Sequence, residues 1–141
     1  MKAYEATATI AAAPEVVWKV LLDGQSYTQW DSGVLRLEGR IAEGERLKVT
    51  SEANPGRAFP VRVTEVAAPR SMRWSGGMPL GLFKGERTFT LTPRGDDGTD
   101  FKLREEYSGP MLGLIWKSMP DLGPSFDKFA HGLKQRAEQR D

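Results

Sequence analysis

Two consecutive segments put chemically capable groups on one face of a hairpin. They are "FKGERTFTLT" (83–92) and "TDFKLREEY" (99–107), joined by the turn-rich "PRGDDG". Centring the turn near Asp96 pairs Leu91 with Phe101, Phe89 with Leu103 and Gly85 with Tyr107, all apolar or small. The same register pairs Arg87 with Glu105. A slip of one residue would turn the apolar set to the other face, because side chains alternate along a strand. The pattern predicts an Arg87–Glu105 pair on the apolar face of the hairpin, with Tyr107 beside it. A charge on an apolar face is costly unless it is paired. Three uses fit the trio: a salt bridge that organises the sheet, hydrogen bonds to the polar group of a buried ligand, or guided proton transfer. Lys84, Glu86, Thr88, Thr90, Lys102, Arg104 and Glu106 fall on the opposite, solvated face.

Around these polar groups the sequence supplies large apolar side chains. Trp30, Met72, Trp74, Phe89, Met111, Trp116 and Phe126 are the candidate lining of a ligand site. Such sites are mostly apolar with a few placed polar groups, and methionine adapts to irregular shapes. The alternative is that the same residues fill the core. In "REEYSGPMLGLIWKSMPDL" (104–122), Met111, Leu112, Ile115, Trp116 and Met119 have the spacing of a short helix. Pro110 is expected to open that helix, and Pro120 to interrupt the helical path. The segment reads as a cap at one end of the site: a plug, a movable gate, or a homodimer contact. "GGMPLGLF" (76–83) reads as a loop at the mouth, and "SEANPGRAF" (51–59) as a hairpin turn.

These residues need elements to hold them. "YEATATI" alternates as a half-buried strand. "AAAPEVVWKVLLD" changes to helical period, with Pro14 and Glu15 suited to a first turn, and "SYTQWD" allows one more turn. "VLRLEG", "RLKVTS", "AFPVRVTEV" and "SMRWSGG" are short strand signals, with Pro60 marking a strand start or edge. From Pro120 onward, Leu122, Phe126, Phe129, Ala130, Leu133 and Ala137 recur at spacings of three and four. The oily faces of the sheet and the terminal helix must cover each other.

Composition narrows the function. The 141 residues fit a single domain, 1–141, with a proper core. With 20 basic and 19 acidic residues and no basic stretch, a nucleic-acid partner is not expected. The absence of cysteine excludes disulfides and thiolate chemistry. One histidine, His131, read as a surface residue, does not make a zinc site. No cofactor fingerprint, signal-peptide core or transmembrane run is visible, so a soluble, cytoplasmic protein without cofactor or metal is expected.

The ordered set "APEVVWKVLLDGQSYTQWD", "VRVTEVAAPRSMRWSG", "GLFKGERTFTLTPRGDDGTDFKLREEYSG" and the terminal helix resembles the START/Bet v 1-like (SRPBCC) superfamily, in its polyketide cyclase/dehydrase-type branch. The resemblance spans nearly the whole chain. It implies an α+β helix-grip fold: a curved antiparallel sheet of about seven strands around a long C-terminal helix, with one or two short helices after the first strand. It also implies a cavity between sheet and helix for a small hydrophobic or amphipathic molecule, such as a lipid. Two alternatives stay open: a cyclase or dehydratase using the same cavity, and a cochaperone-like interaction module.

Overall fold

The computed structural model describes residues 2–139. β1 (Lys2–Ile10) alternates as expected, burying Ala6 and Ile10 and half-burying Tyr4 and Ala8. Pro14 opens α1 (Pro14–Leu22), where its missing N–H costs nothing. That helix buries Val17, Trp18 and Leu21. A short 3₁₀ segment, Gly24–Gln29, buries Tyr27. There follow β2 (Val34–Glu38), β3 (Arg46–Ser51), β4 (Asn54–Ala67), β5 (Ser71–Gly77), β6 (Lys84–Arg94) and β7 (Gly98–Ser108). The chain ends in α2 (Leu112–Ser118) and α3 (Gly123–Glu138).

The strands form one seven-stranded antiparallel sheet in the order β1-β7-β6-β5-β4-β3-β2. Short links place successive strands side by side. β1 is the exception, since it crosses to the far edge and pairs with β7. The sheet curls around α3, whose buried stripe is Phe126, Phe129, Ala130, Leu133 and Ala137. The expected helix-grip architecture is therefore present. The free end of α3 is tied to the end of β1 through the Ala11 N–H, which donates to Glu138 Oε2 at 2.7 Å.

Three boundaries differ from the sequence expectation. The β3–β4 turn is only Glu52–Ala53, and Ser51 pairs with Asn54, so Pro55, Gly56 and Pro60 all lie inside β4. Proline is tolerated there because pairing with β5 begins only at Arg62–Ser75, which leaves that stretch as an edge on one side. α2 starts at Leu112, two residues beyond Pro110. α3 starts at Gly123 with Pro124 in its first turn, not at Pro120. A proline pushes the residue before it to extended backbone, and Met119 is held at ψ 140°. Asp121 then accepts the Gly123 N–H at 2.9 Å.

One close approach has no signature in the helical period. Gly132 lies on the buried side of α3, and a Cβ there would collide with the backbone carbonyl of Asp31 and reach within 3.0 Å of the Trp30 ring. Helix propensity alone would make Gly132→Ala stabilising by about 1 kcal/mol. The expected result is the reverse, a loss of about 2 kcal/mol, because a backbone carbonyl cannot swing aside as a side chain can. Denaturant melts of the two proteins measure the sign directly.

Candidate functional site

The site is best described as rows running across the inner face of the sheet. Direct pairing places Tyr4, Glu105, Arg87, Trp74 and Val63 in one row, contributed by β1, β7, β6, β5 and β4. The next row toward α2 holds Lys2, Tyr107, Gly85 and Gly76. The row on the other side holds Ala6, Leu103, Phe89 and Met72. The register expected from the hairpin alone is the one observed.

Within the central row, Arg87 Nε donates to Glu105 Oε1 at 2.6 Å. The two side chains keep 27% and 17% of their surface in water, so the pair is mostly but not wholly enclosed. The Arg87 guanidinium also lies 4.9 Å from the centroid of Phe126, which fixes it as facing α3. Burial works against the charge of Arg87, but the Glu105 carboxylate more than offsets it and holds the guanidinium pKa above its ordinary value. Glu105 and Tyr107 lean together over Gly85. A Cβ on that glycine would come within 3.0 Å of Glu105 Oε2 and 3.5 Å of the Tyr107 ring. The bare backbone at this point makes room for both groups.

Tyr107 is almost fully buried, and its phenol pKa is pushed up by burial and by the negative charge of Glu105. It therefore stays a neutral hydroxyl. Its Oη makes no well-formed hydrogen bond, although the Glu105 carboxylate stands close enough to hold its proton, and Trp74 Nε1 and Trp30 Nε1 have no partner. Unsatisfied buried polar atoms are rare in folded proteins, and here three of them belong to one apolar interior.

Aromatic rings fill the space around this cluster. Trp116 of α2 stacks on Tyr4 at 5.4 Å and meets Tyr107 edge-on at 5.6 Å. Tyr4 continues to Phe126 at 5.6 Å, and Phe83 stacks on Tyr107 at 6.1 Å. Deeper in, Trp74 packs on Phe89 at 4.8 Å, and Phe129 touches Tyr27, Trp30, Phe89 and Phe101. The region expected to be hollow is occupied by the protein's own rings. Two open clefts, of about 420 and 540 Å³, lie elsewhere. One is at the β6–β7 turn beside Lys134, and the other is on the outer, threonine-rich face of β1, β6 and β7. Neither is lined by any candidate site residue.

The ten candidates thus divide. Arg87, Glu105, Tyr107, Trp116 and Phe126 converge at the end closed by α2, and Trp74, paired with Arg87 through the backbone, turns its ring to Phe89 and Tyr27. Met72 and Phe89 are core residues one row deeper. Trp30 sits apart, against Tyr27 and Phe129. Met111 caps the start of α2 and is half-buried. Tyr4 and Tyr27 are not among the sequence candidates. Alternation puts Tyr4 on the inward face of β1, but the β1–β7 pairing that sets it opposite Glu105 joins residues about a hundred positions apart. Tyr27 sits in a 3₁₀ segment with no clear period, and its hydroxyl donates to the Leu21 carbonyl.

Residues 1–138 match the family described as "Polyketide cyclase / dehydrase and lipid transport". The chain belongs to this family. No curated protein gave a significant match. Among solved structures, this family member is similar to a START superfamily protein from Mycobacterium smegmatis, at 22% identity and a TM-score of 0.72 over 97% of both chains. It is also similar to the Zhui aromatase/cyclase from Streptomyces sp. R1128, at 15% identity and TM-score 0.76, over 99% of this chain and 94% of that one. Truncated norcoclaurine synthase from Thalictrum flavum gives 18% identity and TM-score 0.70, over 99% and 95%. At these identities the likeness is one of fold. A shared fold carries many functions, so the reading of this family member must come from its own residues.

Proposed function

We propose that the chain binds a small hydrophobic or amphipathic molecule between the sheet and α3, at the end closed by α2. The polar end of the molecule meets Arg87, Glu105 and Tyr107, and its apolar body replaces the ring of Trp116. The observation that carries this reading is the Tyr107 hydroxyl, buried without a well-formed hydrogen bond, beside an ion pair and under the ring of Trp116. Trp74 Nε1 is a second unpartnered donor, on a residue directly paired with Arg87. Both ask for a ligand acceptor such as a carbonyl or ether oxygen. α2 suits a movable cover because none of its residues is fully buried, so lifting it exposes little core. We place this binding in the cytoplasm, a setting compatible with a cysteine-free chain.

Titration with Nile red, a neutral lipophilic dye, tests the proposal. Saturable uptake of one dye per chain is expected, together with a rise in Tm, since a ligand at 100 times its Kd adds about 2.7 kcal/mol. Trp116→Ala is expected to bind the dye about tenfold faster or more, because the ring to be displaced is gone. Absence of saturable uptake in both proteins would end the binding reading. The cyclase or dehydratase alternative rests on the same trio. It predicts turnover that Glu105→Gln abolishes while dye uptake survives.

A further inference from the structure

The end of the molecule that carries α2 also carries apolar side chains turned away from the protein. Leu80 is 96% exposed and Leu114 is 70% exposed, the two most exposed large apolar residues among those described. Leu82 is 37% exposed. An isolated exposed leucine needs no explanation. These three differ in being brought together from two segments. The β5–β6 loop and the start of α2 are joined by the Met111 N–H, which donates to the Leu82 carbonyl at 2.9 Å. Gly109 lies so close to the carbonyls of Gly81 and Leu82 that a Cβ there would clash with both. Leu80 moreover sits at φ 60°, a left-handed conformation that a leucine rarely adopts. The loop therefore combines an uncommon leucine backbone conformation with an apolar side chain left in water.

Three lysines come from the segments that flank these tips. Lys117 follows Leu114 by three positions, so the two share one exposed side of α2. Lys2 Nζ lies 5.5 Å from the Trp116 ring, and Lys84 opens β6 just after the loop. Among the described residues, Lys2 and Lys117 make no ion pair, while Lys84 is 3.6 Å from Glu86. Asp121, the first carboxylate after α2, is turned to the Gly123 N–H.

We propose that this end of the molecule docks on an anionic lipid bilayer, with Leu80 and Leu114 entering the interface and Lys2, Lys84 and Lys117 meeting the headgroups. Leucines projecting from two narrow segments, with lysines behind them, suit a soft anionic surface. They are a poor match for a second protein, because a stable dimer needs a patch of about 800 Å² on each partner. The proposal is independent of the interior binding reading, although it would set the α2 cover against the membrane.

Co-sedimentation with vesicles separates the outcomes. Wild-type protein is expected to pellet with phosphatidylcholine/phosphatidylglycerol vesicles mixed at about 3:1, and at least tenfold less with phosphatidylcholine alone. Raising salt to ~0.5 M should release it. The double variant Leu80→Ser/Leu114→Ser should lose about tenfold or more of the vesicle affinity with an unchanged Tm, since both side chains are already in water. Leu35→Ser, at another exposed leucine on β2, should bind as wild type does. The proposal is overturned if wild-type protein stays in the supernatant, or if the double variant still pellets. It is also overturned if light scattering shows a dimer that the double variant converts to monomer, which would make the surface a homodimer contact. Nile red uptake should be unchanged in Leu80→Ser, so failure of the docking proposal is distinguishable from failure of the interior reading.

Discussion

Replacing Arg87 by Met will destabilise the protein by about 3 kcal/mol, and adding Glu105→Leu to that variant will recover most of the loss. The reason lies in what the single change leaves behind. Glu105 would keep its charge on the inner face, with only 17% of its side-chain surface in water and its hydrogen-bonded partner gone. Its other surroundings are the Tyr107 ring above Gly85 and the Tyr4 position across β1. Removing one partner of an enclosed pair typically costs about 3–5 kcal/mol, whereas replacing both by apolar groups of similar volume is often neutral. The lower end applies because 27% of the Arg87 side chain stays wet. A double-mutant cycle in denaturant reads the coupling. Additive losses from Arg87→Met and Glu105→Leu would show that the two side chains do not work as a pair.

Phe129→Ala will cost more, about 4 kcal/mol, with Tm falling by roughly 12–16 °C. Phe129 is 4% exposed, and its ring touches those of Tyr27, Trp30, Phe89 and Phe101. Its contacts thus reach the 3₁₀ segment, the link to β2 and two inner strands at once. Truncation removes its own burial and also the facing contacts of four rings, which cannot all collapse inward from different elements. The void would be apolar and dry, so benzene should bind it and restore part of the lost Tm. A loss below about 1 kcal/mol would mean that the aromatic layer repacks freely. That result would favour an interior already loose enough to admit a ligand.

The two variants probe different parts of one interior, and they clarify how the site relates to the fold. Phe129 and its neighbours hold α3 to the sheet. Arg87, Glu105 and Tyr107 lie nearer to α2, where packing against the terminal helix is carried by Phe126 and Tyr4. Tyr107 Oη belongs to the end near α2, whereas Trp74 Nε1 belongs to a ring packed on Phe89 and Tyr27 in the apolar rows beyond it.

Much of this was legible from residue order. The β6–β7 register, and with it the Arg87–Glu105 pair, followed from a local turn and a period of two: a one-residue slip would separate Leu91 and Phe89 from Phe101 and Leu103, and a turn centred near Asp96 selects among the registers that remain. The α3 stripe followed from its period of three and four in the same way. Boundaries at prolines were less legible. Pro60 reads as a strand start or edge and Pro120 as an interruption of the helical path, and the edge and the interruption are what the structure shows, but proline fixes only its own φ and the conformation before it, not where β4 or α3 begins. Neighbouring strands and caps decided the rest.

The local periods, the hairpin register and the family can be read from residue order alone, because these depend on residues a few positions apart or on the order of the whole set. Three outcomes come from the folded chain: Tyr4 crosses from the far edge to face Glu105, Gly132 makes room for the carbonyl of Asp31, and aromatic rings pack between sheet and helix. Each of those outcomes depends on contacts between segments distant in the chain, and on side-chain volumes meeting in three dimensions. Neither leaves a periodic trace along one strand or one helix.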